Sequence, residues 1–253
     1  MSPATAPAAE IGGALERTGH PCYFRAGISF LRSSSTVREG SVNHFSADRG
    51  AEPIRLFKSD FLERFTHISP AVVAVLWLPV VGVFLWRSFT ASGDQAEAGR
   101  MAGAVLFGVF LWTLIEYGMH RFVFHFKPGG PRMERIFFLF HGVHHAQPQC
   151  KTRLVMPPAV SLPMALMVYG LVYAALALGL SVHHWVDPVM AGILSGYLAY
   201  DLTHYATHHL GMRRGLFRYL KRYHLMHHHK TPGQRYGVSS PLWDIIFRTC
   251  PKE

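Results

Sequence analysis

Four long apolar blocks constrain the fold of this chain more than any other feature. A helix needs about 20 mainly apolar residues to cross the hydrocarbon core of a bilayer. The blocks run from Ser69 to Trp86, from about Met101 to Phe126, from about Val155 to Val182 and from about Val186 to Tyr205. The first block contains Pro79, which membrane helices tolerate better than soluble ones. We therefore predict an integral membrane protein with four transmembrane helices.

The net positive charge of the chain limits the classes of partner that it can bind. Lys and Arg number 25 against 15 Asp and Glu, a formal net charge of +10. Such an excess fits either nucleic acid or anionic lipid, and the four apolar blocks decide for lipid and against nucleic acid. Three cysteines far apart in the sequence, Cys22, Cys150 and Cys250, predict no disulfide framework.

Histidines form a repeated pattern between the apolar blocks. Two His-x-x-His-His motifs and two histidine pairs bring together His120, His125, His141, His144, His145, His204, His208, His224, His227 and His228. Positions i, i+3 and i+4 share one face of a helix, so each motif can direct three imidazoles toward one point. Because neutral imidazole is the commonest protein ligand of transition metals, we interpret the ten residues as a metal centre. The alternative is that they cap helices or satisfy core hydrogen bonds.

The basic residues predict the topology. If the four blocks cross as two hairpins, one membrane face receives the N-terminal region, residues 121–153 and the tail from His209. These three segments carry 8, 6 and 9 Lys and Arg, whereas the first hairpin turn carries Arg87 and Arg100 and the second carries none. The positive-inside rule places the basic face in the cytoplasm. All four histidine groups then lie on the cytoplasmic side.

Other residues near the motifs have weaker interpretations. Asp201 and Glu116 precede His204 and His120 by three and four positions, so each can lie beside a ligand on its helix; a helix-end charge paired with an arginine is equally compatible. The remaining histidines are not predicted to be ligands: His20, His44 and His67 stand alone, His183 and His184 fall on the opposite face, and His209 and His229 lie outside the repeated spacing.

The ordered motifs resemble those of the fatty acid 2-hydroxylases, within the fatty acid hydroxylase and sterol desaturase superfamily. The resemblance covers about Leu56 to Thr249. It rests on His120-Arg-Phe-Val-Phe-His125, His141-Gly-Val-His-His145, Arg153-Leu-Val-Met-Pro-Pro158, His204-Tyr-Ala-Thr-His208, Tyr223-His-Leu-Met-His-His228 and Gly237-Val-Ser-Ser-Pro-Leu-Trp-Asp244.

The resemblance implies an all-α fold in which a cytoplasmic helical cap covers four transmembrane helices and the ten histidines hold two metal ions. It implies hydroxylation at carbon 2 of a fatty acyl chain, in a sphingolipid, a ceramide or a free fatty acid, with O2 as co-substrate. Iron is expected as the working metal, and zinc, which cannot change oxidation state, is a possible bound species. Cytochrome b5, a ferredoxin or a reductase is the expected electron donor.

Two domains are expected: residues 1–58 as a poorly ordered N-terminal region, and residues 59–253 as the membrane-embedded hydroxylase domain. Several relatives begin with a cytochrome b5 domain, which we do not recognise in the first 58 residues. The membrane is the bacterial inner membrane or the endoplasmic reticulum. Two alternatives stay open at this point: another oxidase of the superfamily, resembling sterol desaturases or carotenoid hydroxylases, and a membrane metal transporter or metal-binding protein.

Overall fold

The computed structural model of this protein describes residues 52–91 and 93–251, and every regular element among them is helical. The helices are α1 (Asp60–Arg64), α2 (Pro70–Thr90), α3 (Gln95–Gly118), α4 (Pro131–Phe137), α5 (Val143–Ala146), α6 (Pro158–Tyr173), α7 (Val186–His209), α8 (Gly215–His229) and α9 (Leu242–Ile246). Three π-helical turns, Met119–Phe124, Phe138–Gly142 and Ala174–Gly179, follow α3, α4 and α6. The 3₁₀ turn His183–Trp185 precedes α7. The all-α prediction is confirmed.

Within residues 52–91 and 93–251, three helical stretches are long and apolar enough to cross a membrane: Pro70–Thr90, Gln95–Phe124 and Pro158–Gly179. They correspond to the first three predicted blocks, with ends displaced by a few residues. Helix α2 continues beyond Arg87 to Thr90, and the Arg87 guanidinium donates to the Asp187 carboxylate over 2.8 Å. The expected N-terminal region, residues 1–58, falls outside the described residues except for residues 52–58.

The fourth predicted block is the central helix of the bundle. Helix α7 has 24 residues, about 36 Å at 1.5 Å per residue, enough to cross the hydrocarbon core. It packs against α2 and α3 and, less extensively, against α6. Most of its residues are buried, so protein rather than lipid covers it. This enclosure explains how α7 accommodates Asp201 and several histidines in a membrane protein.

Two glycines allow α3 and α7 to approach closely. A Cβ atom added to Gly108 would lie 2.2 Å from the Val189 carbonyl oxygen and 2.9 Å from the Gly192 Cα. A Cβ added to Gly192 would lie 2.0 Å from the Val105 carbonyl oxygen. Small residues at such crossings let membrane helices pack backbone against backbone. The crossing sets the spacing of the helix ends that carry His120 and His204.

Gly108→Ala is expected to destabilise the bundle by about 1–3 kcal/mol, because overpacking costs this much when backbone atoms must move. Thermal unfolding in detergent measures the effect. Gly103→Ala is the matched control: it adds the same methyl group to the same helix, but apart from the adjoining backbone of α3 no described atom lies within 4 Å of the new Cβ. Equal melting temperatures for the two variants would contradict the close-packing interpretation.

An ion pair between the buried Arg153 and the half-buried Glu63 ties α1 to the loop before α6. The Arg153 guanidinium donates to the Glu63 carboxylate and to the Ile54 carbonyl oxygen. Glu63 also accepts from the backbone N–H groups of Leu56 and Phe57, at 3.0 and 2.8 Å. Only 3% of the Arg153 side chain and 14% of the Glu63 side chain are exposed. This network fixes the chain entering the first membrane helix against the loop that leads to the third.

Arg153→Met is expected to lower the free energy of unfolding by about 1–3 kcal/mol, because it leaves the half-buried Glu63 carboxylate without its cation. The control is Arg55→Met, which removes the ion pair with Asp60, whose side chains are 54% and 87% exposed. Exposed pairs contribute about 0–1 kcal/mol. A melting temperature for Arg153→Met as high as that of Arg55→Met would argue against the network.

Candidate metal centre

The ten predicted histidines come together in two groups of five. Site A and site B lie where the C-terminal ends of α3 and α7 meet α4, α5 and α8. Site A consists of His120, His125, His141, His145 and His227, and site B of His144, His204, His208, His224 and His228. Within each group, one nitrogen from every residue lies within 4.8 Å of the others. The sites adjoin, since the rings of His145 and His228 stack with centroids 4.1 Å apart.

Each His-x-x-His-His motif divides between the two sites. His141 and His145 face site A while His144 faces site B; His224 and His228 face site B while His227 faces site A. The prediction that three imidazoles of one motif converge on a single point is therefore wrong. In the second motif, which lies within α8, each residue turns by 100°, so positions i and i+4 are 40° apart, whereas i+3 lies about 60° to the other side of i. Each motif consequently helps to build both sites.

The distances between facing nitrogens fit metal coordination. In site A, Nε2 of His141 lies 3.1 Å from Nε2 of both His120 and His145. In site B, Nε2 of His144 lies 3.0 Å from Nε2 of both His204 and His228. Two nitrogens about 2.0–2.1 Å from one ion and at right angles to each other would be separated by about 2.9 Å. The two sites thus have the donor type and the spacing that a transition-metal ion requires.

Five histidines of the two sites are held in the neutral form that binds metals. His141 and His144 are 5% exposed, and His224 and His227 are fully buried. Burial, and secondarily the neighbouring imidazoles, lowers the pKa of each of these side chains well below the ordinary value. Burial likewise lowers the pKa of His125 to about 3. At neutral pH these imidazoles each have a lone pair available for a metal ion.

The two carboxylates near the motifs have partners other than those expected. The Glu116 carboxylate accepts from the backbone N–H groups of Val238 and Ser239, at 2.6 and 2.8 Å. The Asp201 carboxylate accepts from the Met156 N–H at 3.1 Å and from the Tyr197 hydroxyl at 3.3 Å. Neither forms a hydrogen bond to an imidazole or an ion pair with an arginine in the described part of the chain, so both interpretations from sequence are wrong. Each carboxylate instead accepts from the backbone of a loop distant in sequence.

The sequence did not predict three groups that bind the histidines or hold the loop beside them. The carbonyl oxygens of Tyr236 and Gln234 accept from Nδ1 of His120 and His227, the second over 2.7 Å. Asp244, fully buried, accepts from the backbone of the same loop. Every residue has a backbone carbonyl, so a backbone acceptor cannot be recognised from the residue type. Asp244 was visible only as the last residue of the Gly-Val-Ser-Ser-Pro-Leu-Trp-Asp motif.

Among the described residues, the other histidines do not join the two sites. His183 and His184 precede α7, at the end of that helix opposite its histidine ligand positions. His67 contacts Thr152 and Arg153. His209 and His229 belong to neither group of five, whereas His20 and His44 lie outside the described residues.

Comparisons with known proteins all point to one family. The sequence model of the fatty acid hydroxylase family matches residues 105–249, which contain all ten histidines. A dihydroceramide fatty acyl 2-hydroxylase of Arabidopsis thaliana is 36% identical over 197 residues, covering 78% of this chain and 80% of the plant protein. The ceramide very long chain fatty acid hydroxylase of Saccharomyces cerevisiae is 40% identical over 195 residues, covering 75% of this chain but 48% of the yeast protein.

Human fatty acid 2-hydroxylase is 36% identical over 218 residues, and the matched part covers 58% of the human protein. Among solved structures, full-length Scs7p, of which the hydroxylase domain is visible, superposes with a TM-score of 0.69 at 39% identity. The match covers 76% of this chain and 70% of that one. The chain therefore spans about half the length of the yeast and human relatives and most of the plant one.

Proposed function

This chain belongs to the fatty acid hydroxylase family, and from that premise we propose that it is an O2-dependent enzyme that hydroxylates carbon 2 of a fatty acyl chain. The overall reaction consumes O2, two electrons and two protons, converts one C–H bond to C–OH and releases one water. The acyl chain belongs to a sphingolipid, a ceramide or a free fatty acid. The observation that carries this proposal is the pair of five-histidine sites at the C-terminal ends of the long helices α3 and α7.

We propose that the ten histidines hold two metal ions, five ligands to each, and that the working metal is iron. When bound, a pair of redox-active ions supplies the oxidising power that O2 needs to attack an unactivated C–H bond. The protein supplies neutral imidazoles in fixed orientations and excludes bulk water through burial of the ligands. Zinc fits the same nitrogen donors but has no redox chemistry, so a zinc-loaded sample is expected to be inactive.

The location of the sites favours attack near the carbonyl end of the chain. Lipid acyl chains place their carbonyl carbons at the interface, and His120 and His204 lie near the C-terminal ends of the membrane-embedded helices α3 and α7. Carbon 2 can therefore reach the centre while the rest of the chain remains in the bilayer. A carbon near the methyl end would have to be drawn out of the hydrocarbon core.

We place the metal sites on the cytoplasmic face, because the basic segments predicted to share that face include both His-x-x-His-His motifs. The membrane is the endoplasmic reticulum in a eukaryotic cell and the inner membrane in a bacterium. The two electrons come from a separate cytochrome b5, ferredoxin or reductase. The basic residues around the sites suit an acidic donor, and electron transfer that slows with added salt is the expected result.

Lipid analysis of cells that lack their own 2-hydroxylase tests this proposal. Expression of the chain is expected to produce lipids with 2-hydroxyacyl chains, detected by mass spectrometry after release of the fatty acids. An altered sterol or carotenoid without a 2-hydroxyacyl product would support another oxidase of the superfamily. Metal uptake without any oxidised lipid would support a transporter.

A further inference from the structure

The loop Gln234–Ser239, here the positioning loop, contacts site A directly. Nδ1 of His120 donates to the Tyr236 carbonyl oxygen, and Nδ1 of His227 donates to the Gln234 carbonyl oxygen over 2.7 Å. Nε2 of these two rings lies 3.1 Å from Nε2 of His141 and His125, respectively, so it faces the centre of the site. The proton is therefore on Nδ1, and the loop fixes both the tautomer and the orientation of two ligands.

The positioning loop is itself held by two buried carboxylates from different helices. Asp244 lies in α9, and its carboxylate accepts from the N–H groups of Tyr236 and Gly237 at 2.9 and 2.7 Å. Glu116 of α3 accepts from the next two N–H groups, those of Val238 and Ser239. Four consecutive amides are thus bound to two carboxylates. The Tyr236 carbonyl cannot shift without breaking these charge-assisted hydrogen bonds.

The packing around Gly237 supports the same arrangement. A Cβ atom at this position would lie 2.0 Å from the Ser240 carbonyl oxygen and 3.1 Å from Oδ2 of Asp244. Only glycine lets the loop close on itself while its amide reaches the carboxylate. The Asp244 carboxylate also accepts from the Thr249 hydroxyl over 2.6 Å, which further restricts its rotation.

Three histidines of site B lack, among the described residues, the backbone acceptors that orient two histidines of site A. Nδ1 of His208, His224 and His228 is buried and has no hydrogen-bond acceptor among the described residues. Nε2 of His224 lies 2.9 Å from that of His208 and 3.0 Å from that of His228, so these rings also present Nε2 to the site. Two ligands of site A are oriented by backbone carbonyls, whereas these three ligands of site B have no such partner in the described chain.

We propose that the positioning loop makes site A the tighter of the two metal sites, with Asp244 and Glu116 as its positioning residues. Acceptors behind ligating histidines fix the ring orientation and increase ligand basicity, and their loss typically weakens metal binding by about 10–100-fold. This inference rests on the proposed two-metal centre and extends it: the two sites differ in affinity, and the difference originates in a loop that contributes no side-chain ligand.

Zinc binding to the full-length protein in detergent tests the inference without relying on turnover. Protein loaded with Zn²⁺ is equilibrated against a graded series of chelator concentrations, and zinc per folded chain is measured by elemental analysis. The wild type is expected to lose two zinc ions in two steps separated by about 10-fold or more in chelator concentration. His224→Ala, which removes a site B ligand, should retain the tight step, and His120→Ala, which removes a site A ligand, should retain the weak one.

Asp244→Asn is the decisive variant. It preserves the size of the side chain but replaces one accepting oxygen by an NH₂ group that faces an amide donor, and the tight step is expected to weaken by about 10–100-fold while the weak step stays unchanged. Glu116→Gln provides a second variant with the same expected direction if Asp244→Asn does not fold. The matched control is Trp243→Phe, which removes the neighbouring hydrogen bond from α9 to Thr113 of α3, 2.9 Å in length, and leaves the positioning loop intact. It should retain both wild-type steps.

Three outcomes would overturn the inference. Two zinc ions leaving the wild type in a single step would show that the sites are equivalent. Equal shifts in Asp244→Asn and Trp243→Phe would indicate general weakening of α9 rather than positioning of ligands. Retention of only the weak step by His224→Ala would place the tighter site at B. Binding of fewer than two zinc ions by the wild type would instead contradict the proposed two-metal centre itself.

Discussion

His144→Ala is expected to abolish hydroxylation, with turnover reduced by more than about 100-fold. Nε2 of His144 lies 3.0 Å from the corresponding nitrogens of His204 and His228, so its removal opens site B at a buried position. Loss of groups behind ligating histidines already weakens metal binding by about 10–100-fold, and loss of a ligand itself should exceed that. The measurement is 2-hydroxyacyl product per folded protein, together with metal content.

The control for this variant is His229→Ala. His229 is exposed, follows the ligand position His228 directly and belongs to neither site. It should retain turnover within about two-fold, since surface substitutions away from special features change stability by about 0.5 kcal/mol or less. Wild-type turnover in His144→Ala would exclude site B from the reaction.

Complete removal of metal is the second large expected effect. Chelation should reduce turnover below detection and lower the melting temperature by about 5–10 °C. A ligand present at 100 times its Kd stabilises the folded state by about 2.7 kcal/mol, and for a chain of this size each kcal/mol shifts the melting temperature by about 2–4 °C. The physical reason is that ten closely packed imidazoles, seven of them buried, lose the cations that hold them together.

Reconstitution separates stability from chemistry. Adding Fe²⁺ is expected to restore both turnover and the melting temperature, whereas Zn²⁺ should restore the melting temperature alone. Full turnover with zinc in the absence of iron would refute iron as the working metal. An unchanged melting temperature after chelation would show that the described histidine clusters hold together without metal.

The helical fold and the membrane spans could be predicted from local sequence. Apolar length alone identified the stretches that became α2, α3 and α6, because a lipid-facing helix must present apolar side chains around its circumference. Helix α7 is more polar and carries Asp201 and His204. Its central position depends on close packing at Gly192 against α3 and at Gly196 against Trp112 of α3, which a hydropathy pattern does not report.

The ten histidines could also be predicted as a set, because their spacing repeats. Their division into two sites could not be predicted from spacing alone. Whether His144 joins His141 or turns toward His204 depends on where α7 and α8 place their own imidazoles. The direction of the Glu116 and Asp201 carboxylates was likewise decided by loops distant in sequence, at Val238 and Met156, whose free backbone N–H groups required acceptors.

The most direct test of the central claim uses purified, iron-loaded protein, an acyl lipid substrate, a reducing system and ¹⁸O2. Mass spectrometry of the released fatty acid should show one ¹⁸O atom in a hydroxyl group on carbon 2, and none of this product with His144→Ala. A hydroxyl group on another carbon, or a 2-hydroxyl group whose oxygen derives from water, would contradict it.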